Sequence, residues 1–290
     1  MKDESIQSIS TWQGRSKRGF KDVDLEHDRH QSLLKFLDKN ALVRRVGLPG
    51  AFTRATAKSM TTTAVKHSYS SPVENAQYPV VAVVDGGICK KLDPWVIQKV
   101  TAIPEQHMSL EHGSEIGSLL VDGQILNGTE VCPEPDGCKL VDIGIMPTGD
   151  YFSLHYGDHQ DFLHALNEEV RRAKQTNGVR VFCFSHNVAK LVPSFTYDEL
   201  SMGLDQIALD NDVVFVVSAG NLPDGAYRPE WKSKHGDVLS DLAAAADDRL
   251  TVPGDAIFGV SVAAVNPPLC NAPLTSAPAR YSRRGPGYKG

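Results

Sequence analysis

The sequence predicts an α/β fold, a mainly parallel sheet with helices on both faces. Three observations predict it. Apolar runs at 80–84, 140–146, 179–184, 213–217 and 257–264 are short, rich in Val and Ile, and barely alternate, as strands buried on both faces do. Segments with helical spacing of apolar residues lie between several of these runs. Strands alternating with helices build right-handed crossover units, which put helices on both sides of one sheet.

The elements follow in order. Up to His30 the chain is charged and polar. Ser32-Leu33-Leu34-Lys35-Phe36-Leu37 and Leu42-Val43 then give a short helical pattern, and after Pro49-Gly50 the Ser- and Thr-rich stretch 53–71 reads as irregular or extended. Residues 1–75 are therefore expected to be an N-terminal extension, partly helical or flexible, and residues 76–290 the folded domain. The run at 80–84 ends in the turn Asp85-Gly86-Gly87. Residues 114–121 form the first helix of the domain, opened by Ser114 and then Glu115, an acid favoured by the N-terminal end of the helix dipole. Residues 162–176 form the second, with Phe162, Leu163, Leu166 and Val170 on one face and Asn177-Gly178 as its stop. Residues 197–209 form the third, with Leu200, Leu204, Ile207 and Ala208 as the buried stripe. Ligands in such folds bind beyond the carboxyl ends of the strands, where Asp85, Ser185 and Asn221 fall.

Composition narrows the function. A formal net charge of -5 over 290 residues gives no basic field for nucleic acid or an anionic membrane, so a peptide, protein or small-molecule substrate is expected. No apolar run approaches the roughly 20 residues that span a bilayer, and Met1-Lys2-Asp3-Glu4-Ser5-Ile6-Gln7 lacks the apolar core of a secretory signal; a cytoplasmic location is expected. Five cysteines, an odd number set mostly near apolar strands, suit a reducing compartment, and Cys132 and Cys138 read as plain thiols. His155, His159 and His164, with Asp158 and Asp161 among them, match no familiar ligand spacing, so no metal site is expected.

Three stretches carry chemistry. They are Val81-Ala82-Val83-Val84-Asp85-Gly86-Gly87-Ile88, His112-Gly113-Ser114 and Val216-Val217-Ser218-Ala219-Gly220-Asn221. Singly, Asp85 and Asn221 read as turn residues at strand ends and His112 as a loop histidine. Together they stand in the order acid, histidine, amide. With Val181-Phe182-Cys183-Phe184-Ser185, Val260-Ser261-Val262-Ala263-Ala264-Val265 and Tyr281-Ser282-Arg283-Arg284-Gly285, they resemble the subtilisin-like serine peptidase family from about Pro79 onward.

The resemblance implies that family's three-layer sandwich, a peptide or protein substrate, and a role for each residue. A serine hydroxyl is a poor nucleophile at neutral pH, so His112 would take its proton and pass it to the leaving amine. Asp85 would hold the imidazole in the right tautomer, and the Asn221 side-chain amide would donate to the oxyanion. Ser185 would line the substrate strand, with Gly149 and Tyr151 on the opposite wall. No cofactor is implied. Calcium is common in the family, yet no ligand run here matches. A regulatory partner or propeptide would be needed to control a cytoplasmic peptidase, with no residue to identify it.

The chain also departs from the family. Gly86 stands where a hydroxyl residue is usual, Glu115-Ile116-Gly117-Ser118 where a second histidine and an Ala-Gly pair often follow, and Ser185-His186-Asn187 where Ser-Leu-Gly is common. No Gly-Thr-Ser or similar motif follows Asn221. The expectation is a copy truncated before the nucleophile helix, inactive by the serine mechanism and poorly soluble or molten because core is exposed. The alternative is a pseudoenzyme whose cleft binds a peptide or partner without cutting it. A dinucleotide-binding protein is opposed by the lack of any G-x-G-x-x-G or G-x-x-x-x-G-K-[ST] run.

Overall fold

The computed structural model describes residues 26–43, 52–53, 68–231, 235–245, 248–267, 274–285 and 287. In chain order, α1 (His27–Asp38) and the two-residue β1 (Phe52–Thr53) come first. Then follow β2 (Val80–Asp85), β3 (Val96–Thr101), α2 (Glu111–Asn127), β4 (Lys139–Gly144), the short α3 (Phe152–His155) and α4 (His159–Asn177). The remainder is β5 (Val181–Phe184), the two-residue β6 (Asn187–Val188), α5 (Glu199–Asn211), β7 (Val214–Ser218), α6 (His235–Ala244) and β8 (Gly259–Val262).

Six strands form one parallel sheet in the order β3-β4-β2-β5-β7-β8, so the expected α/β architecture is present. Alternation along each strand sends neighbouring side chains to opposite faces. Ala82 and Val84 of β2, with Val141 and Ile143 of β4, pack under Phe162, Leu166 and Val170 of α4 and Leu200 and Leu204 of α5. Val83 and Leu140 face the other way, against Ile88, Leu92, Trp95 and Val121 of α2. Each fully buried side chain of this kind contributes about 1.5–3 kcal/mol, which is why the central strands read as unbroken apolar runs.

Helix ends follow local chemistry. Asp158 accepts from the amides of Gln160 and Asp161 to open α4, and Gly178, at φ 68°, closes it in the left-handed region. Asp198 caps α5 by accepting from Leu200 N. One expectation needs correction: α2 starts at Glu111, so Glu111 and not Glu115 is the acid of its first turn.

β3 was not foreseen. It follows Pro94, pairs among the described residues with β4 alone at one edge, and is half-buried in strict alternation, a weaker signal than the double-sided runs. At the other edge, β8 pairs with β7 alone among the described residues, and Val260 and Val262 are 53% and 51% exposed.

Two short N-terminal pieces dock on the domain, whereas α1 buries none of its residues. β1 pairs antiparallel with β6, Phe52 opposite Val188. Ser70 Oγ donates to Asp122 Oδ1 at 2.6 Å, where α2 kinks, and Trp95 Nε1 donates to Ser70 O at 2.7 Å. Cys89, Cys132, Cys138 and Cys183 are free thiols. Among the described residues no helix is long and apolar enough to cross a membrane.

Candidate active site

Asp85 ends the central strand and is 2% exposed. Its Oδ1 accepts from Gly86 N at 2.7 Å. A side chain at position 86 would come within 2.5 Å of Ser109 O, which explains why a glycine replaces the hydroxyl residue expected there. The turn is pinned from below by Asp142 of β4, whose Oδ2 accepts from Ile88 N and from Lys99 Nζ, both at 3.0 Å.

His112 stands in the first turn of α2 with Nδ1 2.6 Å from Asp85 Oδ2. Gly113 permits this approach: a Cβ there would lie 2.5 Å from Gly87 O and 3.0 Å from Asp85 Cβ. A second imidazole meets the same oxygen, for His186 Nε2 lies 3.0 Å from Asp85 Oδ2. His186 is buried, and its ring stands edge-on to that of His112, with centroids 5.4 Å apart at 64°. It supplies a side-chain donor where Gly86 offers only its backbone N–H. The sequence held the signal, because Ser185-His186-Asn187 breaks the family pattern, but nothing in it told that His186 reaches Asp85.

Burial pushes the Asp85 carboxyl up, but the hydrogen bonds from His112 and His186 and their charge outweigh it and hold the carboxyl below the usual carboxylate range. An ionised carboxylate only accepts, so His112 carries its proton on Nδ1 and His186 on Nε2. As pH falls, the unfolded chain binds this proton first, at about pH 3.9. Asp85 therefore contributes stability above that pH which is lost progressively as pH drops toward the lower folded value. Urea midpoints measured against pH are expected to fall less steeply on the acid side for Asp85→Asn than for the wild type. Parallel acid limbs would refute this.

A cleft of about 110 Å³ adjoins the pair, lined by Phe52, Ser109, Met146, Pro147, Thr148 and Gly149 as well as Asp85, Gly86, His112 and His186. Gly149 thus stands in the lining of this cleft. Tyr151 stacks on His107 with centroids 4.1 Å apart. His107 Nδ1 is in turn 3.0 Å from His155 Nε2. Ser185 follows β5 and its Oγ lies 3.3 Å from Cys183 Sγ. Asn221 follows β7 through Gly220 at φ 93°; its carbonyl accepts from Arg283 Nε at 2.9 Å, and it bridges to Ser282. The structure thus brings together Asp85, His112 and Gly149, with Asn221, Ser185 and Tyr151 outside the lining of this cleft. Phe52 was missed because the Thr-rich stretch around it carries no period. His155, His159 and His164 do not converge: His159 packs edge-on to Phe52, and Asp161 accepts from Gly157 N.

No family model matches the chain, and no curated protein does. Among solved structures, it is similar to the prenylagaramide maturation protease PagA, with 18% identity over 72% of this chain and 60% of that one, at a TM-score of 0.38. It is similar to the self-cleaved protease domain of PatA, with 20% identity over 71% and 62%, at a TM-score of 0.39. It is likewise similar to MycP1 from Mycobacterium smegmatis, with 16% identity over 76% and 64%, at a TM-score of 0.41. The chain thus spans under two thirds of the length of each of these three structures.

Proposed function

We propose that residues 76–290 belong to a subtilisin-like serine endopeptidase, with His112 as general base, Asp85 as the carboxylate that orients it, and Asn221 as an oxyanion donor. The observation that supports this best is the 2.6 Å contact from His112 Nδ1 to Asp85 Oδ2, set beside a cleft at the carboxyl end of the central strand. With Nδ1 committed to Asp85, Nε2 is the atom of His112 that accepts a hydroxyl proton and returns it to the leaving amine. The buried charge of Asp85 then stabilises the imidazolium as it forms. His186 acts as a positioning residue, holding the carboxylate from the side that the turn glycine leaves without a hydroxyl. An extended peptide would run between the segment at Ser185 and the wall carrying Gly149 and Tyr151, pairing by its backbone. The nucleophilic serine in this reading comes from polypeptide other than these 290 residues, and the chemistry calls on no cofactor.

A fluorophosphonate probe, which reacts with activated serines, tests this on the polypeptide carrying these residues in its native source. The expected result is one labelled serine, with labelling slowed about 10²–10⁴-fold by His112→Ala, the usual contribution of a general base. Labelling that is equally fast in His112→Ala would overturn the reading. Peptide binding without labelling or hydrolysis would replace it by a non-catalytic binding cleft.

A further inference from the structure

Two imidazoles converge on one oxygen of a buried carboxylate. His112 Nδ1 and His186 Nε2 lie 2.6 and 3.0 Å from Asp85 Oδ2, and the three ligand atoms all fall within 4.8 Å of one another. Among the described residues no other three His, Cys, Asp or Glu side chains come together in this way. A pair that only relays protons needs one imidazole on its carboxylate. The second changes what the cluster can hold: two neutral imidazoles and a carboxylate suit Zn²⁺ and similar divalent ions, with a position left for solvent.

We propose that Asp85, His112 and His186 form a binding site for a divalent transition-metal ion of the Zn²⁺ class. The proposal goes beyond the peptidase reading and does not require it. Around a tetrahedral ion with bonds of about 2.0–2.1 Å, neighbouring ligand atoms stand about 3.3 Å apart, so the His112 contact opens by about 0.7 Å and the His186 contact by about 0.3 Å, while the two imidazole nitrogens, within 4.8 Å of each other, settle at a similar spacing. Each imidazole turns a lone pair to the ion by shifting its proton to its other ring nitrogen. The adjoining cleft, with Ser109 and Thr148 in its wall, has room for the solvent ligand. The N-terminal end of α2 opposes a cation here. Its half charge is outweighed by the full charge of Asp85, which burial shields from water. The ion takes the place of the proton between Asp85 and His112, so an occupied site has no Asp–His hydrogen bond and no general base held in register.

The test is calorimetric titration with Zn²⁺ and optical titration with Co²⁺ on the 290-residue chain and on its His186→Leu and His186→Gln forms. One ion per chain is expected, with a Co²⁺ spectrum free of sulfur charge-transfer bands. Affinity should fall more than about 100-fold in both variants, because even residues that merely orient a ligand are worth 10–100-fold. Glutamine keeps an amide donor for Asp85, so a metal-free melt like that of the wild type separates lost ligation from lost folding. No binding at millimolar Zn²⁺, a sulfur-ligated Co²⁺ spectrum, or affinity unchanged in both variants would overturn the site. Tight Zn²⁺ binding in a polypeptide with no serine reactivity would sink the peptidase reading and leave this one standing.

Discussion

The Phe52→Ala protein is expected to lose its hold on the N-terminal strand, at a cost of about 3–5 kcal/mol, the range for truncating a buried phenylalanine. Phe52 is 7% exposed and sits in an aromatic cluster, with ring centroids 4.9 Å from Phe152, 5.1 Å from His159 and 5.4 Å from Phe162. β1 has only two residues, so its backbone pairing with Asn187 and Val188 is too short to persist without that anchor. Amide exchange at Phe52 and Thr53 should therefore quicken by about 100-fold or more, since every 1.4 kcal/mol is a factor of ten. The effect reaches the site, because Phe52 walls the cleft and β6 begins one residue after His186. Exchange that rises less than tenfold would mean the strand is held by something other than this side chain.

Arg228→Met should cost about 3–5 kcal/mol, because it leaves a buried carboxylate without its main partner. Arg228 Nη1 donates to Asp248 Oδ2 at 2.8 Å, and its Nη2 donates to the carbonyls of Ala279 and Ser282 at 2.8 and 2.6 Å. Arg284 Nε also reaches Asp248 Oδ2, at 3.0 Å, which places the loss toward the lower end of that range. The network holds the segment that backs the turn at Asn221, where Leu222 N donates to Tyr281 O and Arg283 N to Gly220 O. Replacing both partners, Arg228→Met with Asp248→Leu, should hurt less than the single change, since no charge is then left buried and alone. The urea midpoint decides it. A single-variant loss under about 1 kcal/mol would show that Arg284 alone satisfies Asp248.

Much of the fold was legible because double-sided burial leaves a plain mark. The runs around Val83, Val141, Phe182, Val216 and Val260 each hold a strand of the sheet, and Asn177-Gly178 ends a helix as its chemistry requires. Side chains that act across long stretches of chain left weaker marks. Asp85 and His112 come together 27 residues apart, which the order of motifs can suggest and periodicity cannot. His186 reaches Asp85 across 101 residues, and a single histidine after a strand reads the same whether it points at solvent or at a carboxylate. Arg228 and Asp248 lie 20 residues apart and carry no motif that marks the burial the fold gives both. β3 fell below notice because an edge strand buries only one face.

The edge of β8 that has no strand partner among the described residues bears on how the isolated chain is expected to behave in concentrated solution. Residues 259–265 read Gly-Val-Ser-Val-Ala-Ala-Val, with no charge and no proline; Ala264 and Val265 pair with Ala279 and Pro278, and along β8 itself β7 is the one paired strand among the described residues. Such an edge is a template onto which a second copy can add its own strand, and small β-branched side chains at Val260 and Val262 favour close stacking of the sheets that result. Edge-to-edge pairing of folded molecules is therefore the expected route of self-association at high concentration, and a lysine at one of these two positions should blunt it.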